Sequence, residues 1–421
     1  MSANPDWYDS GLNHIWLPYT QMKTMRPPLA AVRTHGSRIV LADGRELVDG
    51  VGSWWTACHG YNNPHIAEKL RQQLDRMPHI MLGGLVHEPA LRLAERLCAL
   101  LPSHLTRVFF SDSGSVAVEV AMKMALQYHL NAGRSGRTKF VAFKGGYHGD
   151  TLGTMAVCDP EEGMHALFSG ILNQHLIVDL PRDERSVADF DAAIAHHADE
   201  IAAIIVEPLV QGAGGMLFHD EQCLMHVRDV ARRHHVLLIA DEIFTGFGRT
   251  GPMFACDVCD VVPDIITLGK GLSGGSLPLA ATVASSEIFA SFWSDDPGLA
   301  LMHGPTFMGN ALACAAANAS LDLFEEEPRL VQGAEAGKTM AHILGHALTL
   351  PGVVDVRVRG CIGVVELDRI EDLNSLKQAF IEEGVFVRPF RNIVYLTPAL
   401  NIAQDELEKL CTAILTVLQR R

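Results

Sequence analysis

An α/β fold, with a parallel sheet covered by helices and a smaller α+β unit after it, is what three features of this chain predict. From about residue 105, short β-rich runs alternate with helical stretches. The runs do not alternate polar with apolar residues, as expected of strands buried on both faces. After residue 330 the pattern changes to shorter strands and amphipathic helices.

The elements follow in order. "RVFF" ends at Phe110 and leads into "SVAVEVAMKMALQYHL", where Glu119, Lys123 and Gln127 recur four apart among apolar residues. That spacing predicts a helix with one narrow wet stripe. "KFVAF" ends at Phe143, "AAIIVEP" at Pro208, "VLLIAD" at Asp241 and "DIITLGK" at Lys270, each reading as a buried strand. The "EEEP" run at 325–328 marks a boundary. Beyond it come a helical stretch near 331–349, "VVDVRVRG", "IGVVEL", a helix near 372–383, "GVFVRPF", "NIVYLTP" and an amphipathic helix from 404.

With 421 residues the chain is long enough for two or three folding units. A hydrophobic fraction of 48% with 20% charged residues is that of a globular protein, which excludes disorder. The net charge of −15 argues against a broad nucleic-acid or anionic-membrane footprint, so any anionic ligand needs a local site. Nine scattered cysteines, an odd number, fit free thiols in a reducing compartment. Cys256 and Cys259 form one CxxC with no second pair at zinc spacing, and read as buried thiols. The N-terminus has no signal-peptide pattern, and the longest uncharged run, 298–321, is too polar to span a bilayer. The expected location is the cytoplasm.

In open parallel sheets, ligands bind beyond the carboxyl ends of the strands. Those ends carry "SDSGS" (111–115), "KGGYHGD" (144–150), Glu207, Asp241 and Lys270. "SDSGS" opens a helix, where it serves either as a phosphate cradle or as a helix cap. Lys270 follows Asp241 by 29 residues, each ending a strand. A lysine for an aldehyde, a carboxylate for a pyridine nitrogen and a helix N-terminus for a phosphate together suit pyridoxal 5′-phosphate. The glycines of "LGKGLSGG" allow close approach, and Tyr147 is placed to flank a ring. Two alternatives stay open: Lys144 also follows an apolar run, and Asp241 reads equally as a capping or salt-bridging carboxylate. No GxxxxGK[ST] occurs, against a P-loop nucleotide site.

"ADEIFTGFGRTG", "ITLGKGLSGG", "KGGYHGDTLG" and "IIVEPLVQGAGGM" together resemble the class-III, fold-type-I pyridoxal-phosphate aminotransferases, which act on terminal amino groups. The resemblance implies a mostly parallel seven-stranded sheet within a large cofactor domain at 61–328. It also implies a small α+β domain at 329–421 and an N-terminal segment at 1–60 that joins the small domain and the active site. Lys270 is then the lysine that holds the cofactor and shuttles the proton, and Asp241 the partner of the ring nitrogen. Tyr147 stacks on the ring, and Gly114 and Ser115 bind the phosphate. Thr306, with Pro305 beside it, completes the phosphate site from the partner subunit, so the resemblance implies a homodimer with shared active sites. Thr306 also reads as a helix N-cap, and Glu207, near the cofactor in the family, also reads as a buried structural carboxylate.

Narrower motifs, "HIWLPYTQM", "DGVGSWWTACHGYN", "MHGPTFMGNALACAAANASL" and "GVFVRPF", resemble the biotin-pathway branch of that family. Its acceptor is 8-amino-7-oxononanoate and its donor S-adenosylmethionine, or lysine in some relatives. An apolar substrate ending in a carboxylate implies Trp54 and Tyr19 as aromatic walls and Arg388 as the clamp, with Trp55, Gly304, Arg249 and Tyr395 as further pocket residues. Tryptophan pairs are also common core residues, and Arg391, three residues on, is the rival to Arg388. Phe244 and the "SGGSLPLAAT" stretch depart from the family pattern and bear on the donor. Another ω-aminotransferase or an aminomutase on the same scaffold is the competing reading. A cofactor-binding regulator would need a DNA-binding module for which the scaffold leaves no room.

Overall fold

The computed structural model describes residues 4–160, 166–168 and 170–421, which fall into two units. The larger is His65–Glu327; the other joins the chain up to Pro64 with Pro328–Arg421.

The larger unit is built on seven strands: β1 (Leu105–Ser111), β2 (Lys139–Phe143), β3 (Leu176–Val178), β4 (Ile201–Val206), β5 (Leu237–Asp241), β6 (Ile265–Leu268) and β7 (Ala280–Ser285). Their order across the sheet is β1-β7-β6-β5-β4-β2-β3. Strand β7 runs antiparallel to both its neighbours, and every other pairing is parallel. The carboxyl ends of β1 to β6 therefore share one edge, where the ligand rule for such sheets applies.

The central strands β4 to β6 are buried throughout, as their unbroken apolar runs require. Strand β1 differs from its sequence reading. It lies at the edge, with Arg107 exposed, so it is not buried on both faces. Strands β3 and β7 are not among the runs read as strands from the sequence. The first is three half-buried residues at the far edge, and the second is "AATVAS", poor in large β-formers. Its small residues admit the helix α1 (Gly114–Asn131), whose Ala117 carbonyl accepts a 2.7 Å hydrogen bond from Thr282 Oγ1. Helix α1 buries Ala121 and Ala125 with Phe140, Ile205, Ile239 and Ile265; each such large apolar side chain contributes about 1.5–3 kcal/mol. Along its wet stripe Lys123 is exposed while Glu119 and Gln127 are half-buried.

In the other unit, Ala31–His35, Arg38–Leu41 and Glu46–Asp49 form an antiparallel run, and Val385–Phe386 joins it parallel to Glu46–Asp49. A second sheet holds Val353–Arg359, Ile362–Leu367 and Ile393–Leu396, all antiparallel. The helices Arg329–Leu344, Leu373–Glu382 and Gln404–Gln419 belong to the same unit. Among the described residues no helix is long and apolar enough to cross a membrane.

Candidate active site

Asp241 is the last residue of β5 and is buried. Both its oxygens are engaged. Oδ1 accepts from Thr267 Oγ1 at 3.0 Å and from the Ile243 N–H at 3.2 Å; Oδ2 lies 2.7 Å from Nδ1 of buried His148. Burial pulls the His148 imidazole down, but the Asp241 hydrogen bond and charge, with the charge of Glu207, leave it above its ordinary value. A buried carboxylate with a partner on each oxygen is a fixed negative charge at the strand edge.

One strand over, Glu207 follows β4. Its Oε2 accepts from the Tyr147 N–H and its Oε1 from the Gly212 N–H, both at 3.0 Å. Burial pushes its carboxyl up to about 7; the His148 charge opposes this and Asp241 adds to it. Glu242, next to Asp241, is also fully buried, but it serves the backbone. It accepts from Ala255 N, Cys256 N and Thr245 Oγ1 and so ties down the glycine loop after β5, in which Arg249 is buried.

Lys270 opens a short 3₁₀ turn after β6, half-buried, with a left-handed φ of 43°. Such a backbone in a residue other than glycine costs about 1–2 kcal/mol and persists where the surroundings over-determine it. Burial lowers its amine below the ordinary lysine value, against the pull of Asp241, Glu207 and Asp150. Its Nζ lies 6.0 Å from the centroid of the buried Phe244 ring. Lys144, the rival lysine, is exposed and paired with Asp179 at 3.3 Å. Of the two, Lys270 has Asp241 as an electrostatic neighbour.

At the start of α1, the Ser113 hydroxyl accepts from the Val116 N–H, so the capping role within "SDSGS" falls on Ser113. Gly114 and Ser115 are the first helical residues. The Ser115 hydroxyl accepts from the Asp150 N–H at 3.1 Å, and Thr151 and Gly153 both donate to Glu119, which binds the 147–153 loop to the helix. Tyr147, half-buried, donates its hydroxyl to Asp150 at 2.9 Å. The approach is close. A Cβ on Gly149, whose φ is 132°, would lie 2.3 Å from Ser115 Oγ. Gly304, Pro305 and Thr306 occupy a loop, Thr306 exposed, and the helix that follows is capped by Asn310 through the Ala313 N–H. Thr306 is therefore not that helix's N-cap.

In the other unit, Gly52, Ser53, Trp54 and Trp55 are consecutive left-handed residues with φ between 47° and 74°. This single left-handed turn carries Trp54 outward. The Arg388 guanidinium carbon lies 4.6 Å from the Trp54 ring centroid, and Tyr19 meets the same ring edge-on at 6.1 Å. Trp55 turns inward onto buried Tyr395, 6.3 Å between centroids, and burial pushes the Tyr395 phenol up. Arg391 is exposed, on the turn before Ile393–Leu396.

The structure thus gathers Lys270, Asp241, Glu207, Tyr147 and Ser115 along one edge of the larger unit, and Tyr19, Trp54 and Arg388 in the other. The sequence reading did not single out His148, Asp150 or Thr267. The first two lie inside "KGGYHGD", whose chemistry had been credited to Tyr147, and Thr267 is a polar residue within the apolar run of β6.

A parallel sheet that brings a lysine of lowered basicity and a buried, doubly anchored aspartate to its ligand-binding edge is the frame of an enzyme for carbonyl and amine chemistry. The chain belongs to the class-III aminotransferase family, whose model matches residues 19–418. It is 46% identical to the adenosylmethionine-8-amino-7-oxononanoate aminotransferase of Mycobacterium leprae, over 96% of this chain and 94% of that one. The crystal structure of the enzyme of that name from Methanocaldococcus jannaschii is 35% identical, with a TM-score of 0.93 and 98% of each chain covered. A PLP-bound amine transaminase from an uncultivated Pseudomonas species gives a TM-score of 0.89 at 31% identity, over 97% of this chain and 98% of that one.

Proposed function

We propose that this chain transfers an amino group from S-adenosylmethionine to 8-amino-7-oxononanoate, forming 7,8-diaminononanoate in biotin synthesis, with pyridoxal 5′-phosphate as cofactor. The observation that carries this reading is 46% identity over nearly the whole chain to a relative named for that reaction.

The residues at the sheet edge fit the cofactor. A fixed anion, an amine of lowered basicity and a helix N-terminus approached by a loop with no room for a Cβ at Gly149 match its ring nitrogen, aldehyde and phosphate. Pyridoxal phosphate supplies an aldehyde for amine exchange and a ring that accepts electrons. Asp241 holds a proton on the ring nitrogen, since an adjacent anion favours the cationic form. Lys270 Nζ would take the proton from the donor carbon that bears the amine and, in the second half of the exchange, supply one to the acceptor carbon that receives it, a positioned base being worth about 10² to 10⁴ in rate. Gly114 and Ser115 hold the phosphate at the positive end of α1, and Tyr147 flanks the ring.

Trp54 and Tyr19 supply apolar walls for the acceptor, backed by Trp55 and Tyr395. Arg388, whose guanidinium carbon lies over the Trp54 ring, supplies N–H donors to the substrate carboxylate, a charged hydrogen bond worth about 1.5–3 kcal/mol. Arg249 and Gly304 complete the substrate set. In this reading the protein is a cytoplasmic homodimer, and Thr306 of the partner subunit, with Pro305 beside it, completes each phosphate site.

A second reading, another ω-aminotransferase, is favoured by the fold likeness to an amine transaminase. Single-turnover absorbance separates the two. Cofactor-loaded protein is mixed with S-adenosylmethionine or with lysine, and then with 8-amino-7-oxononanoate. Bleaching by S-adenosylmethionine and recovery with the acceptor is the expected result. Bleaching by lysine alone changes the donor, and no bleaching with either overturns the assignment in favour of the second reading.

A further inference from the structure

The left-handed turn that presents Trp54 is held by a buried carboxylate outside the cofactor site. Asp49, 2% exposed, ends the strand Glu46–Asp49. Its Oδ1 accepts from the Val51 N–H at 2.8 Å, and its Oδ2 accepts from the Ser53 N–H at 3.3 Å and the Tyr61 hydroxyl at 2.5 Å. Tyr61 has one hydroxyl proton, and Asp49 takes it. The 2.6 Å contact between Ser53 Oγ and Tyr61 Oη must then be donated by Ser53. The chain Ser53 to Tyr61 to Asp49 closes on the turn it supports.

The far side of the turn is fixed as well. Thr397 N–H donates to the Gly50 carbonyl at 2.7 Å and its hydroxyl to the Val51 carbonyl at 3.1 Å, and a Cβ on Gly52 would come within 3.0 Å of the Thr397 carbonyl oxygen. Asp49 is also the register partner of Phe386 in the parallel pair of Glu46–Asp49 with Val385–Phe386. Trp54 lies five residues beyond Asp49 and Arg388 two beyond Phe386, so one strand pairing sets the spacing of the ring and the guanidinium that stacks on it. Three successive non-glycine residues at left-handed φ do not persist unaided.

We infer that Asp49, acting with Tyr61, is a positioning residue for acceptor binding, which holds the Gly52–Trp55 turn so that Trp54 and Arg388 keep one geometry. The inference rests on the assignment of Trp54 and Arg388 to the carboxylate-bearing substrate.

The test measures KM and kcat for 8-amino-7-oxononanoate, melting temperature and the visible band of the cofactor in holoenzyme carrying Asp49→Asn, Tyr61→Phe or Arg388→Met. Expected is a KM raised at least tenfold in Asp49→Asn and at least threefold in Tyr61→Phe, with much smaller changes in kcat and the cofactor band kept. Asp49→Asn should add little to the KM of Arg388→Met when the two are combined, because both act on one geometry. Lowered melting temperatures with KM unchanged in Asp49→Asn and Tyr61→Phe would make the network merely structural and overturn the inference. If Asp49→Asn does not fold, the KM of Tyr61→Phe decides. A raised KM in Arg388→Met alone keeps the substrate assignment and overturns the inference. A raised KM in Asp49→Asn or Tyr61→Phe but not in Arg388→Met keeps the positioning role through Trp54 and overturns the clamp.

Discussion

His148 Nδ1 lies 2.7 Å from Asp241 Oδ2, with both side chains buried. The pair joins the loop after β2 to the end of β5, so the aspartate at the sheet edge is aimed by a residue two strands away. Replacing His148 with Asn keeps a donor but removes the charge. An imidazolium holds the Asp241 carboxylate more strongly than a neutral amide donor does, by about 1 kcal/mol, so kcat should fall roughly five- to tenfold. The histidine's folded value is raised. Its contribution to stability is therefore present in full below the ordinary value near 6.5 and is lost as pH climbs through the raised one. The difference in melting temperature between the wild type and His148→Asn should be larger at pH 6 than at pH 9.

Lys270 gives the opposite linkage. Its folded value is lowered from 10.5. The charged amine is thus a liability in the cofactor-free fold that grows as pH falls below about 10.5 toward the folded value. Lys270→Met in the cofactor-free protein should raise the melting temperature at pH 7 and do so much less at pH 10.5. The same variant, once loaded, should lose turnover by at least about 10²-fold. Lys144→Met, which breaks only an exposed ion pair, should change stability by no more than about 0.5 kcal/mol and leave turnover near wild type.

Glu207 accepts one backbone N–H on each oxygen. A protonated carboxyl can still accept on both, whereas an amide would turn its NH₂ against one of those donors. Glu207→Gln should cost about 1–3 kcal/mol in urea unfolding. Because burial raises the carboxyl to about 7, the stability it contributes is whole below about 4.5 and is lost as pH rises through 7. The penalty of the Gln variant should shrink between pH 5 and pH 8, and a penalty that grew over that range would contradict the assignment of its charge state.

Much of this site was legible because strand ends in a parallel sheet are also motif ends. Asp241 and Lys270 each terminate an apolar run, so a one-dimensional pattern located them. Tyr19, Trp54 and Arg388 came from family resemblance, since nothing local distinguishes an outward tryptophan from a core one. What the sequence concealed depends on partners far apart in the chain. His148 matters because Asp241 is 93 residues on, and Asp49 because four later residues turn left-handed against intrinsic preference. Strand β7 was hidden for a packing reason, its small residues reflecting the closeness of α1 rather than any strand propensity.

At Phe244, where the resemblance implies a departure from the family pattern, the structure shows what the ring occupies. A Cβ on Gly212 would lie 2.7 Å from Phe244 Cδ1, and Lys270 Nζ is 6.0 Å from the ring centroid. Gly212→Ala should therefore cost about 1–3 kcal/mol through overpacking, and Phe244→Ala about 3–5 kcal/mol through the cavity it leaves. The added methyl enters space that the second substitution vacates. The double variant should then be more stable than the two single costs predict, by about 0.5–3 kcal/mol in urea unfolding. Strict additivity would mean that the loop after β4 moves independently of the ring. The same ring borders Lys270, so the ratio of lysine-driven to S-adenosylmethionine-driven bleaching should change at least threefold in Phe244→Ala. An unchanged ratio would confine Phe244 to packing.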